Sequence, residues 1–119
     1  MKVLLFAPPF EISSNSESCS YPMALCYLGA SLEKNNIQVK AYNFLFENLE
    51  STLKKVELII RNEKPEIVGI SSMTTNRVST FKIVELVKKI DPQIKVVLGG
   101  VHPTIMWEQI LENCSADYI

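Results

Sequence analysis

Between Ile94 and Pro103 the chain reads Ile-Lys-Val-Val-Leu-Gly-Gly-Val-His-Pro. A short and almost continuously apolar run of this kind is a strand buried on both faces of a parallel sheet, and here it leads through two glycines into a helix start at Pro103-Thr104. Two glycines at the carboxyl end of a buried strand allow something flat or extended to approach the backbone, because no Cβ stands in the way. The same pair also serves a tight turn from strand to helix, and both readings stand at this point.

The remaining chain repeats this alternation. Lys2–Ala7 is an apolar strand stopped by Pro8-Pro9. The serine-rich stretch from Phe10 to Tyr21 has no periodicity and reads as a long loop. A helix follows from Pro22, with Ala24, Tyr27, Leu28 and Leu32 as its inward residues, and breaks at Asn35-Asn36. Gln38 to Phe44 is a second strand with Val39 and Tyr42 inward. From about Glu47 a helix sets Leu49, Leu53, Val56 and Ile60 against a face of Lys54, Lys55, Glu57 and Arg61, and Pro65 closes it. Glu66 to Ser71 is the third strand and Ser72 to Asn76 a polar turn. The next helix faces inward with Phe81, Val84, Val87 and Ile90 until Asp91-Pro92. A last helix runs from Pro103 to Asn113 with Ile105, Met106, Ile110 and Leu111 inward, and Ala116–Ile119 reads as the start of a fifth strand.

This order predicts a flavodoxin-like, doubly wound α/β domain over residues 1–119 with a parallel sheet in the order 2-1-3-4-5, cut short at the fifth strand. The expectation is a piece of a longer protein, or a domain lacking its last unit. Ligands in such sheets bind where the strands end and their order reverses. There the topology gathers the loops 8–21, 71–76 and 99–104, rich in hydroxyl, amide and glycine. Ser71, Ser72, Thr74, Thr75 and Asn76 offer hydroxyls and backbone N–H groups, and the helix N-terminus behind them favours an anionic oxygen, although Thr75 or Asn76 equally serves as a helix cap. His102 reads as a ligand contact, a base, a stacked ring or a hydrogen-bonded turn residue. Tyr27 and Trp107 read as packing residues.

Composition and missing motifs exclude several functions. An apolar share of 47% with 21% charge belongs to a folded globular chain, and a net charge of −1 leaves no basic footprint for nucleic acid. No stretch has the length of a signal-peptide core or a membrane span, so a cytoplasmic protein is expected. Cys19, Cys26 and Cys114 make no metal-like spacing and no disulfide framework; Cys26 is expected in the core, Cys114 packed at a helix end and Cys19 in an exposed loop. No metal site built by protein side chains is expected. There is no acidic pair after the first strand, no G-x-G-x-x-G there, no P-loop and no nucleophile elbow, and hence no catalytic residue to name.

Four segments in order, KVLLFAPP, YPMALCYLGASL, EIVGISSMT and VVLGGVHPT, resemble the N-terminal cobalamin-binding domain of B12-dependent radical SAM enzymes. That group includes methyltransferases and the anaerobic magnesium-protoporphyrin monomethyl ester cyclases, and the resemblance covers essentially the whole chain. It implies cobalamin as the ligand, with Ser71 and Ser72 at the family's serine position and Gly99 and Gly100 at its glycine pair, together receiving the nucleotide tail. Thr74 and His102 would be further contacts, and the 8–21 loop would lie on the corrin side. The family's D-x-H-x-x-G loop, whose histidine ligates cobalt from below, is absent, and so is the C-x3-C-x2-C motif of a 4Fe-4S cluster. The resemblance therefore implies that SAM and the cluster belong to a C-terminal radical SAM domain of the same parent chain. A module of the same ancestry that has lost its cofactor and serves as a scaffold remains the alternative, with a nucleotide- or flavin-binding domain as a third reading.

Overall fold

The computed structural model describes residues 1–11 and 21–119, so Cys19 and most of the loop after the first strand lie outside the described residues. Four parallel strands, β1 (Lys2–Ala7), β2 (Gln38–Asn43), β3 (Ile67–Ser71) and β4 (Lys95–Gly99), form one sheet in the order β2-β1-β3-β4. The helices are α1 (Met23–Lys34), α2 (Leu49–Glu63), α3 (Arg77–Ile90), α4 (Val101–Ile105) and α5 (Trp107–Asn113). β1 is central and buried from Val3 to Ala7, which is why it carries the longest unbroken apolar run.

Register assigns every strand residue to a face. Leu5 lies beside Gly69 and Gly69 beside Val97, while Phe6 lies beside Ile70 and Ile70 beside Leu98. The second face carries the main core: Leu4, Phe6, Val68, Ile70, Val96 and Leu98 pack with Val56 and Ile60 of α2, Ile83, Val84 and Val87 of α3 and Ile110 of α5. The first face has a smaller core in which Val3, Leu5 and Ala7 meet Leu25 of α1 and Leu45. Val39 and Tyr42, three residues apart on β2, therefore serve opposite faces. Local chemistry closes the elements: the Asn48 side chain accepts from the Ser51 N–H at 2.7 Å at the start of α2, and Lys64 ends that helix in the left-handed conformation (φ 47°) before Pro65.

Several expectations are corrected. In α1 only Leu25 is buried; Cys26 is exposed, and Tyr27 and Leu28 are 73% and 51% exposed. This helix packs on the β1–β2 side of its face and is apolar around most of its girth, so periodicity cannot select the buried stripe. The helix expected from Pro103 to Asn113 starts earlier and is interrupted at Met106, which leaves the supposedly inward Ile105 and Leu111 exposed together with Trp107. Cys114 does pack, half-buried, at the end of α5, where burial pushes its thiol pKa up and keeps it neutral.

Among the described residues a fifth strand is not seen. Tyr118 makes a single parallel bridge to Val97, with the Leu98 N–H donating to the Tyr118 carbonyl at 2.9 Å. Asp117 fastens this segment: it accepts from the Val96 N–H at 2.8 Å and from Lys88 Nζ at 2.6 Å, and Lys95 Nζ stands 3.3 Å from its other oxygen. Burial pushes this carboxyl up, and the hydrogen bonds from Lys88, Val96 and Lys95 outweigh it, leaving a pKa of about 2. Because the folded-state value lies below the unfolded one, the stabilisation is fully present above about pH 4 and disappears as pH falls through about 2. Asp117→Asn should cost roughly 2 kcal/mol in urea unfolding at pH 7, and the gap from the parent chain should close towards pH 2. An unchanged gap across that range would contradict this role.

Candidate functional site

The carboxyl edge of the sheet is held together by its own loops. The Ser72 N–H donates to the Gly99 carbonyl at 2.7 Å, and the Ser72 carbonyl accepts from the His102 N–H at 3.4 Å, so the turns after β3 and β4 are joined through backbone. The Ser72 hydroxyl is fully buried and accepts from Thr80 Oγ1 at 3.0 Å. Asn76, also buried, accepts from the Met73 N–H at 2.7 Å and donates from Nδ2 to the Pro8 carbonyl at 3.2 Å, tying the β3 loop to the end of β1. This is more than an ordinary helix cap, because the amide uses both ends to join two loops.

The residues singled out from sequence divide between two sides of this edge. Ser71, Gly99 and Gly100 line a groove of about 370 Å³ between α1 and the first face of the sheet. Its floor comes from Leu5, Gly69 and Val97 and its far wall from Leu28 and Leu32 of α1. The groove exists because α1 covers β1 and β2 and leaves β3 and β4 uncovered on that side. Ile67, Gly69, Ser71 and Val97 are only half-buried there, whereas Val68, Ile70, Val96 and Leu98 on the opposite face are shut away. On the α3 side, the exposed Thr74 hydroxyl lies 3.2 Å from His102 Nδ1, and the His102 ring stands 6.5 Å from that of Phe81. His102 also borders a second groove of about 500 Å³ between α3 and α5, with Arg77, Phe81, Glu85 and Gln109 along it. Ser72 reaches neither groove; its side chain holds α3 to the loop.

The two readings of the glycine pair fall to its two members. Gly100 has φ 101°, and a Cβ there would run into the Ser72 carbonyl oxygen, so the tight turn itself demands glycine. Gly99 has ordinary backbone, and a Cβ on it would meet nothing within 4 Å. Its missing side chain keeps the mouth of the groove clear. Gly69 deepens the floor, since a Cβ there would sit 2.8 Å from Leu5 Cδ2.

Sequence reasoning missed two features. The first is a set of exposed apolar side chains on the loops and first helical turns at this edge: Tyr21, Met23, Phe46, Met73, Val78, Val101 and Ile105. Their individual exposure has no sequence signal, although Phe46, Met73 and Val101 follow within three residues of a strand end. The second is Glu11, whose carboxylate accepts from the Val78 N–H at 2.6 Å. Among the described residues no group of histidine, cysteine, aspartate or glutamate is arranged to hold a metal ion, and no helix is long and apolar enough to cross a membrane.

Comparison with known proteins agrees with this architecture. The family model of the B12 binding domain matches residues 12–119, and the chain belongs to that family. An uncharacterised methyltransferase of Pyrococcus horikoshii is 33% identical over 96% of the chain and 25% of the relative's length. The anaerobic magnesium-protoporphyrin IX monomethyl ester cyclase of Rubrivivax gelatinosus is 26% identical over 95% of the chain and 20% of its own length. The cytidylyl-2-hydroxyethylphosphonate methyltransferase of Streptomyces wedmorensis is 24% identical over 99% of the chain and 25% of its own length. The chain thus spans a fifth to a quarter of the curated relatives it matches.

The two glycines should respond differently to a methyl group. Gly100→Ala is expected to lower the unfolding free energy by more than about 1 kcal/mol, and Gly99→Ala to change it by less than about 1 kcal/mol, in urea denaturation. Equal effects would show that the turn does not depend on the positive φ of Gly100.

Proposed function

We propose that this B12-binding domain holds cobalamin at the carboxyl edge of its sheet, with the nucleotide tail in the groove between α1 and the strands. The observation that carries the reading is Gly99: on a strand end at the mouth of an apolar groove, it alone of the glycine pair has no backbone need to be glycine. The residues fit the group. A slot of about 370 Å³ lies within the usual range for small-molecule sites, its walls are apolar, and the half-buried Ser71 offers a hydroxyl at the strand end. The exposed apolar side chains around the edge suit the broad face of a macrocycle that would cover them.

On this reading each residue has a separate task. Gly69 and Gly99 keep side chains out of the slot, and Leu5, Leu28 and Val97 exclude water from it. Ser71 orients the polar end of the tail. Gly100 and Ser72 hold the two turns at their spacing, and Thr74 with His102 keeps the outer part of those turns in place. The bound corrinoid supplies the cobalt chemistry, and the chain binds and orients it. The names of the relatives, two methyltransferases and a cyclase, support our reading of a parent enzyme of the methyl-transfer or cyclisation class. We place the SAM and the 4Fe-4S cluster of a radical SAM enzyme in a C-terminal domain of that parent, and the protein in the cytoplasm.

A scaffold that has lost its cofactor is the second reading, favoured by the chain's single histidine, His102, which stands on the β4 turn and not on the β1 loop. Titration with hydroxocobalamin followed by desalting separates the two. The chain should retain cobalamin saturably, and Gly99→Leu, which fills the slot without straining the backbone, should weaken retention at least about tenfold while remaining folded. No retention by the folded parent chain would favour the scaffold, and undiminished retention by Gly99→Leu would move the tail elsewhere.

A further inference from the structure

The Glu11 contact is unusual in what it joins. Glu11 follows β1 by a few residues, yet its carboxylate sits on the N-terminus of α3, accepting from the Val78 N–H at 2.6 Å, while its own N–H donates to the Thr75 carbonyl at 3.1 Å. The amides of a first helical turn have no partner within the helix, and the positive end of the helix dipole favours a carboxylate there. A charge-assisted bond of this kind is among the stronger ones available to an exposed loop.

What it holds in place is the start of the β1–α1 connection. Phe10, the residue before Glu11, donates its N–H to the Leu45 carbonyl at 3.1 Å, and its ring meets Phe46 edge-on at 6.0 Å between centroids. Phe46 is 59% exposed and belongs to the apolar set at the carboxyl edge. With Asn76 holding the Pro8 carbonyl, the root of this connection is pinned to the loops after both β2 and β3. The sequence has no histidine in this connection.

We propose that Glu11 is a positioning residue for the bound cofactor: its bond to the α3 N-terminus fixes Phe10 and Phe46 as one wall of the apolar edge, setting in the free protein a geometry that a metal–histidine bond would otherwise impose on binding. This rests on the cobalamin reading above. The wall is built before the ligand arrives, so its ordering cost falls on folding and not on binding. Glutamine keeps an oxygen that accepts from Val78, whereas alanine leaves that amide to water and frees the root of the connection.

The test pairs two measurements on the parent chain, Glu11→Ala and Glu11→Gln. Amide hydrogen exchange without ligand reports the bond: the Val78 amide should be protected in the parent and in Glu11→Gln, and should exchange at least about tenfold faster in Glu11→Ala. Hydroxocobalamin titration reports the consequence: Glu11→Ala should bind about tenfold more weakly, with affinity restored by Glu11→Gln. A cap that serves stability alone would lower the unfolding free energy and leave the affinity of the folded protein untouched. Full affinity in Glu11→Ala despite a released Val78 amide would therefore overturn the proposal, and an unprotected Val78 amide in the parent would remove its basis. No binding by a parent chain whose Val78 amide is protected would overturn the cobalamin reading and the positioning role with it, while leaving the Glu11 bond established.

Discussion

A parallel sheet needs cover on both faces, since each face carries apolar side chains on every second residue. In this chain α2, α3 and α5 seal one face of all the central strands, while α1 covers the other only over β1 and β2. The uncovered stretch of β3 and β4 is where the side chains become small or vanish: Gly69, Ser71 and Gly99 stand where the opposite face has Val68, Ile70 and Leu98. Burial on one side supplies the stability that lets the other side stay open. The groove is thus a product of where α1 stops, combined with two glycines that do not fill it.

The loops at the strand ends show a complementary economy of polar groups. Ser72, Asn76 and Thr80 are buried, and among the described residues no buried side-chain nitrogen or oxygen lacks a partner. Their bonds tie the β3 loop to its neighbours: Ser72 to Gly99 of the β4 turn and to Thr80 of α3, Asn76 to Met73 within the loop and to Pro8 after β1. A network satisfied in this way keeps three turns rigid beside an apolar edge that is exposed. Ser72 and Gly100 thus hold the turns together, while Ser71 and Gly99 line the open groove beside them.

Much of this was legible in the sequence, because apolar runs broken by proline and glycine dictate strand and turn almost residue by residue. β1 and the order of the strands follow from that pattern. The glycine pair was legible as either a tight turn or a point of close approach, and the positive φ of Gly100 shows the turn. The division between Ser71 and Ser72 was harder: adjacent residues at the end of a strand point to opposite faces, and sequence does not say which face is open. The face of α1 was not legible, since Met23-Ala24-Leu25-Cys26-Tyr27-Leu28 is apolar in every direction and tertiary packing alone chose Leu25. Glu11 left no trace at all. Its partner lies 67 residues away, and a lone acidic residue in a loop carries no periodicity to read.

The most direct test of the account is a map of backbone amide shifts on addition of hydroxocobalamin to the isotopically labelled chain. The account predicts the largest changes at Leu28, Gly69, Ser71, Val97 and Gly99, around the groove beside α1, with little change at Phe81, Glu85 and Gln109. Shifts concentrated instead along the groove between α3 and α5 would contradict it, and would move the site to the opposite side of the sheet.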